Sequence, residues 1–244
     1  MLDLKRKWAL ITGASRGIGH ETAIYMAKQG ISLVLHSRDL ASTKSLVAEV
    51  KSLGVEAFAV AAELSDDVAV RKMALEVVNK VQIDILLNNA GVQAPSQSTY
   101  YMADVEQYLW QYKVNVIAPM ILVEVFLPGM LKRGFGRIVN TTSGIKNQPE
   151  QGGYAASKGA LDKVTKDFAT KLEGTGVSMN VTDPGWIQTD LGGPNASNTV
   201  DTVVPGVVVS VFTSEDVNGK WISAQSFKGM DLVEAVAKAS EIIK

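Results

Sequence analysis

Tyr154 and Lys158 stand four residues apart in GGYAASKGA, a spacing that stacks a phenol and an ammonium on one face of a helix. A phenol titrates near ~10 and is a poor acid or base at neutral pH, but an adjacent cation favours the phenolate and draws that value toward the working range. The pair is therefore a candidate proton donor. The alternative is a half-buried Tyr beside a solvated Lys, and the spacing alone does not separate the two. Other parts of the chain must supply the rest of a reaction.

The elements that would position this pair alternate along the chain. Short apolar runs (WALIT, ISLVLH, VEAFAV, IDILLNN) are separated by helical patterns over Ile18 to Gln29, Ala41 to Leu53 and Asp66 to Val81. The rhythm continues with a helix around Val114 to Leu131, a strand GRIVNTT, a helix from Tyr154 to about Leu172 and a strand VSMNVTD. Runs that are apolar on successive residues, such as Ile83 to Leu87, suit strands buried on both faces of a parallel sheet. The expected fold is α/β: one Rossmann-like, doubly wound parallel sheet of six or seven strands with helices on both faces. Ligands bind such sheets beyond the carboxyl ends of the strands. That rule selects Gly13 to Gly19, Ser37 and Arg38, Asn88 to Gly91, Thr141 to Gly144, and Pro184 to Thr189.

The first of these segments, TGASRGIG over Thr12 to Gly19, closes a strand and opens a helix. Its glycines do the work of a dinucleotide fingerprint at a different spacing. Gly13 permits the tight turn, Gly17 lets the backbone approach a pyrophosphate, and Gly19 allows helix to pack on strand, with the helix N-terminus facing the anion. Past the second strand, where an acid commonly holds the adenosine ribose, the chain reads His36, Ser37, Arg38, Asp39. Arg38 and Arg16 offer two cations for a 2′-phosphate and Ser37 a hydroxyl, which favours NADP(H) over NAD(H). The competing reading makes Arg38 a solvated charge and gives the ribose to Asp39.

Composition removes several other chemistries. Lys+Arg 24 against Asp+Glu 25 leaves a net charge of -1, so no nucleic-acid surface is expected. The chain has no Cys and 2 His, His20 and His36, which excludes a disulfide framework, a Cys nucleophile and a zinc site built on such ligands; no metal is expected. No apolar run is expected to approach the ~20 residues that span a bilayer, and the basic N-terminus leads into a strand rather than a leader. At 244 residues and 46% hydrophobic, with no linker, the chain is expected to form one domain over residues 1–244, cytoplasmic and free of membrane.

TGASRGIG, NNAG at Asn88 to Gly91, Asn115 in KVNV, Ser143 in NTTSG, YAASK at Tyr154 to Lys158 and PGWIQTD at Pro184 to Asp190 occur in one order along nearly the whole chain. In this the chain resembles the short-chain dehydrogenase/reductase family. The resemblance implies that Tyr154 protonates the developing alkoxide as hydride arrives from the nicotinamide, that Lys158 lowers the phenol's pKa and holds the nicotinamide ribose, and that Ser143 donates to the substrate carbonyl. It implies that Asn115 holds a water linking Lys158 to solvent. Gly13, Ser15, Arg16 and Ile18 would line the pyrophosphate and adenosine, with Asn89, Ala90 and Gly91 on the adenosine side. Pro184, Gly185, Ile187 and Thr189 would meet the nicotinamide end. Asn88 or Asn89 could instead tie strands together, and Asn115 could be a satisfied core amide. Between Thr142 and Ser143, the family register selects Ser143.

The chain also departs from the family pattern. Ser143 and Tyr154 are eleven residues apart, fewer than in typical members, so the loop GIKNQPEQGG that walls the substrate pocket is clipped. Glu63, before Leu64, stands where an Asp commonly meets the adenine; it is otherwise a surface charge. The stretch PGWIQTDLGGPNAS followed by GKWIS looks more like the carbonyl reductase branch, whose members reduce aldehydes, ketones and quinones with NADPH. Gln93, Gln148, Trp186 and a lid over Leu191 to Asn198 form the expected substrate-contacting set, with Trp221 expected in the core. Residues 191–230 would hold lid and last strand. The tail, 231–244, would be a helix with Leu232, Val233, Val236 and Ile243 on one docking face. The resemblance implies a homo-oligomer, dimer or tetramer, through the helices carrying Asn115 and Tyr154. Two rival functions stay open: a 3-oxoacyl thioester reductase acting on an acyl carrier protein, for which Lys132 and Arg133 are the nearest basic pair, and a non-catalytic NADP-binding redox sensor.

Overall fold

A computed structural model describes residues 1–95, 99 and 104–242. Seven strands form one all-parallel sheet: β1 (Trp8–Ile11), β2 (Ser32–Ser37), β3 (Ala57–Ala61), β4 (Ile85–Asn88), β5 (Gly136–Thr141), β6 (Val177–Asp183) and β7 (Trp221–Ser223). Their order is β3-β2-β1-β4-β5-β6-β7. The direction of winding reverses between β1 and β4, whose registers pair Ala9 with Ile85 and Ile11 with Leu87. A crevice opens at that switch point beyond the carboxyl ends of the strands.

Side chains of successive strand residues leave on opposite faces, and both faces are covered. Ala9 and Ile11 of β1, with Leu33 and Leu35 of β2, join the core under α1 (Gly17–Lys28) and α2 (Lys44–Ser52). Leu10 and Val34, between them, join the opposite core with α3 (Asp67–Val78) and α5 (Ala118–Arg133). Continuous apolar runs are therefore required, because neither face meets water. Leu10 is fully buried, and truncating it to Ala removes about 2–5 kcal/mol.

Acids cap helix starts, with Asp231 accepting from Glu234 N at the last helix. The Asp66 carboxylate accepts from Val68 and Ala69 N–H, and Asp104 accepts from Glu106 and Gln107 N–H at the start of α4 (Val105–Tyr112). At α1 the cap residue Arg16 makes no side-chain cap bond and no acid stands in the first turn, so those donors stay available.

Several expectations change here. α4 precedes the helix expected to begin at Val114; a wider π-helical turn, Lys113–Ile117, joins it to α5. The resulting 29-residue helical stretch, Val105–Arg133, is apolar and long enough by composition to cross a bilayer, contrary to the expectation that no run approaches that length. More than half of its most apolar 18-residue window is buried against the rest of the protein, as in the core helix of a globular protein. α6 runs Gly152–Ala169, starting and ending slightly earlier than expected. Trp221, expected in the core, is 41% exposed because β7 is a sheet edge. In α7 (Leu232–Ile242) the docking face is Leu232, Ala235, Val236 and Ala239, whereas Val233 points to solvent; Ile243 lies outside the described residues.

Candidate active site

The turn between β1 and α1 is built by close approaches that exclude side chains. Gly13 has φ +65, and a Cβ on it would stand 3.0 Å from Ala90 Cα. A Cβ on Gly17 (φ +57) would meet Thr189 Cγ2 at 3.1 Å, and one on Gly19 would overlap Gly13 O at 2.3 Å. The main chain thus lies bare over the uncapped end of α1, a cradle whose N–H groups suit a pyrophosphate. His36, buried at the end of β2, accepts from Gly13 N at Nδ1 (3.3 Å), while its Nε2 lies 3.0 Å from Ala62 O. Burial holds His36 below the usual imidazole range, and the neutral ring keeps the acceptor that Gly13 uses.

From the neighbouring strand, Asn89 Nδ2 donates to Thr12 O (2.9 Å) and Gly13 O (3.3 Å), and Thr12 Oγ1 accepts from Asn89 N and Ala90 N. Asn88 instead donates to Asn140 Oδ1 at 2.8 Å, tying β4 to β5. Ser15 and Ile18 are half-buried in the loop and first turn. Arg38 is exposed beside Asp39, whose carboxylate binds Ser42 N and Oγ; these bonds hold it below the usual carboxylate range. Ser37 Oγ donates to Asp39 O. Arg16 pairs with Asp190, so the glycine loop is tied to the start of the segment beyond β6. At the end of β3, Glu63 accepts from Ser65 N and Oγ at 3.0 Å, and the Leu64 side chain is core, leaving only its main chain for a cofactor.

Tyr154, Lys158, Ser143 and Asn115 converge between β5, α6 and the π turn. Ser143 stands beside the Tyr154 phenol, close enough to draw its pKa down. Thr142, one step earlier, is buried with its hydroxyl toward Asp162 of α6. Lys158 Nζ donates to Thr141 O at 2.8 Å and lies 5.8 Å from the Tyr154 ring centroid. Burial pulls the ammonium down to about 8, and burial pushes the phenol up to about 12 against the pull of Ser143, with Asp183 adding to the rise. The expected lowering of the phenol by Lys158 is not found: burial and Asp183 raise it, and Ser143 alone lowers it. Asn115 is fully buried; its Nδ2 donates to Val92 O (2.8 Å) and Ser157 Oγ (3.0 Å), and its Oδ1 accepts from Val92 N (2.8 Å). Its side chain is a clip for the strand-end loop, where a Cβ on Gly91 would stand 3.2 Å from Lys158 Nζ. The amide is occupied by protein partners rather than aimed at solvent.

Three residues absent from the sequence reading shape the same site. Asp183 accepts from Gly185 N at 2.9 Å, and a Cβ on Gly144 would stand 2.8 Å from its Oδ2, so it sits between the Ser143 loop and the turn at Pro184 and Gly185; burial holds its carboxyl above the usual range. Tyr108 and Gln111 of α4 press on Gly152 and Gly153, just before Tyr154. A Gly-Gly pair preceding the Tyr was the one available sign that another element passes closely.

Other expected residues are placed differently. Gln93 and Gln148 are bridged by Gln151, which lines the pocket beside Tyr154, while they themselves lie outside its lining. Trp186 is 56% exposed, its Nε1 donating to Gly192 O, and it does not line that pocket. The segment from Leu191 to Asn198 folds back on its base: Ile187 pairs with Asn198, Gln188 N donates to Asn198 O, and Thr189 Oγ1 accepts from Gly192 N. Ile187 is buried and Thr189 faces Gly17. Arg133 donates to Ile83 O just before β4, at the opposite end of the sheet, so Lys132 and Arg133 form no entrance to this site. Among the described residues no cluster of His, Asp and Glu suits a metal.

A glycine cradle at the switch point of a parallel sheet, facing a Tyr, Lys, Ser and Asn cluster, defines a dinucleotide-binding oxidoreductase. The short chain dehydrogenase family profile matches residues 7–200, and the chain belongs to that family. A short chain dehydrogenase of Pseudocercospora fijiensis is 34% identical over 196 residues, 79% of this chain; the match spans 63% of that protein's own length. A 3-oxoacyl-[acyl-carrier-protein] reductase of Staphylococcus epidermidis is 34% identical over 193 residues, 76% of this chain and 77% of that protein. Among solved structures, a metagenomic short-chain oxidoreductase in complex with NADP superposes with a TM-score of 0.70 at 30% identity, covering 75% of this chain and 83% of that one.

Proposed function

We propose that the protein transfers a hydride between NADP(H) and a small carbonyl or secondary alcohol compound. The observation that carries this is the buried Tyr154 phenol with Ser143 beside it and Lys158 Nζ 5.8 Å from its ring centroid. When bound, the nicotinamide cofactor supplies the hydride. Ser143 and Tyr154 then address one substrate oxygen: Ser143 donates a hydrogen bond as negative charge builds, and Tyr154 delivers the proton. Lys158 and Asn115 hold the surrounding loops and the local positive charge.

The residues fit the cofactor. Gly13, Gly17 and Gly19 leave room for a pyrophosphate over α1; Ile187 and Thr189 would meet the nicotinamide amide, and the exposed Arg16 and Arg38 would hold a 2′-phosphate. The NADP complex of the structural relative supports the same choice. A cytoplasmic homo-oligomer acting on a free small molecule, with no nucleic acid or membrane as partner, completes the reading.

The Staphylococcus relative favours a second reading, reduction of a 3-oxoacyl thioester on a carrier protein. Mixing the protein with NADPH or NADH and a panel of aldehydes, diketones, quinones and β-keto thioesters, while following absorbance of the reduced nicotinamide, separates them. Consumption with free carbonyls and NADPH is expected. Consumption confined to thioesters would replace the first reading with the second, and tight cofactor binding with no turnover would replace both with a binding or sensing role.

A further inference from the structure

His36 sits near the end of β2, the strand between β1 and β3, and is 2% exposed. Its ring reaches past both neighbours. Nδ1 lies 3.3 Å from Gly13 N, in the loop after β1, and Nε2 lies 3.0 Å from Ala62 O, just beyond β3. An amide N–H offers only a proton and a carbonyl only lone pairs, so both bonds form together in a single state: the neutral ring with its proton on Nε2. Gly13 is where this hold matters. Its φ is +65, and a residue without a Cβ takes either hand of φ freely, so the direction of the turn depends on what grips its peptide groups. His36 grips the N–H, and Asn89 Nδ2 donates to the carbonyl at 3.3 Å.

We infer, resting on the cofactor reading above, that His36 is a positioning residue for the dinucleotide: the neutral ring holds the Gly13 turn open for a pyrophosphate, and a proton on Nδ1 releases it. In the charged ring both nitrogens are donors, so Nδ1–H faces Gly13 N–H, and the grip on the turn is lost while the Ala62 bond survives. Glu63, which follows Ala62, favours that proton. Arg38 and Asp39 follow in the ring's own segment, with Asp39 bonded to Ser42, and Arg16 in the glycine loop pairs with Asp190. Burial outweighs both Glu63 and the Ala62 bond and keeps the ring below the usual imidazole range, so the holding state prevails at neutral pH. A side chain that only filled space here would need neither the second nitrogen nor the neutral form.

The test uses the full chain. With His20→Gln, His36 is the sole imidazole, and nitrogen NMR of the cofactor-free protein at neutral pH is expected to show the ring proton on Nε2. A proton on Nδ1, or a charged ring at neutral pH, overturns the inference even where no His36 variant folds. Fluorescence titration with NADPH and NADH gives the second readout. His36→Asn keeps an acceptor within reach of Gly13 N and is expected to bind both cofactors within about 3-fold of the native chain, whereas His36→Gln reaches Ala62 instead and is expected to bind both about 10-fold more weakly. Each variant gives up one bond, so their unfolding temperatures are expected to drop alike, and affinities that merely follow those temperatures overturn the inference. Going from neutral to about pH 5 is expected to weaken both cofactors about 3-fold or more on the native chain and not on His36→Asn, with NADH excluding the 2′-phosphate's own titration. Acid that tightens binding points to charge attraction alone and also overturns it. If neither cofactor binds the native chain at any pH, the cofactor reading falls and this inference with it; contrary results confined to His36 leave that reading standing.

Discussion

Lys158 gives its hydrogen bond to the main-chain carbonyl of Thr141, at 2.8 Å, and stands 5.8 Å from the centroid of the Tyr154 ring four residues before it. The shared helical face brings the two groups together, and burial decides what each does. The ammonium is pulled down to about 8 and the phenol pushed up to about 12.

That arrangement has a stability signature. Below about 8 both folded and unfolded chains carry the Lys158 charge, and the folded state bears the full cost of burying it. Between about 8 and the ordinary 10.5 the unfolded state binds more protons, so the Lys158 contribution makes stability rise with pH, by up to about 3 kcal/mol across the window. Tyr154 acts in the opposite sense above the ordinary 10.0, where folded protein holds the proton longer. Denaturant melts of the native chain and Lys158→Met at several pH values check this: the variant is expected to lose the rise between about 8 and 10.5, and an unchanged slope would contradict it.

Asp183 accepts from Gly185 N and lies against Gly144, and its charge favours the neutral phenol of Tyr154. Asp183→Asn removes the charge and one of the two acceptors. The limb of the pH-rate profile set by Tyr154 should therefore move to lower pH, by up to about one unit, with a lower kcat from a looser Ser143 loop. A profile superimposable on that of the native enzyme would exclude this coupling.

The Arg16–Asp190 pair is exposed on both sides, 67% and 68%, and such pairs are worth ~0–1 kcal/mol. A 2′-phosphate on Arg16 must compete with it. Asp190→Asn is expected to tighten NADPH about two- to five-fold in fluorescence titrations at low salt, with a smaller effect at high salt and none for NADH. Equal changes for both cofactors would remove Arg16 from the phosphate.

A methyl group at Gly19 would collide with Gly13 O at 2.3 Å and Asn89 Nδ2 at 2.6 Å. Gly19→Ala should cost about 1–3 kcal/mol of stability, because a packed turn must move, and should weaken NADPH binding sharply. Gly159, inside α6 with nothing within 4 Å of its Cβ position, provides the contrast: Gly159→Ala should gain roughly 0.5–1 kcal/mol. Calorimetry of the two variants distinguishes them, and similar losses in both would contradict the cradle geometry.

Much of this was legible before any coordinates. Period and apolar runs locate the strands, and the strand-end rule then collects Gly13, Asn89, Ser143 and Gly185 at one end of the sheet, where the structure places them. The remainder depended on approaches between distant segments. No local pattern marks Tyr108 and Gln111 as neighbours of Gly152 and Gly153, nor Gln93 as a partner of Gln151, since glutamine is unremarkable in any loop. Asp183 looked like the polar end of a strand, and its reach to Gly144 follows from how β5 and β6 pair. The spacing of Tyr154 and Lys158 gives their shared face but not their burial, which sets the sign of both pKa shifts. Trp221 was misplaced because its strand reads the same at an edge as in a centre.

The most direct test of the account is Tyr154→Phe, which keeps the ring and removes the proton. Reduced-nicotinamide consumption with a carbonyl that the native enzyme turns over should fall by about 10²–10⁴-fold, while NADPH binds as before. Full activity in that variant, with the cofactor bound, would contradict the assignment of Tyr154 as the proton donor.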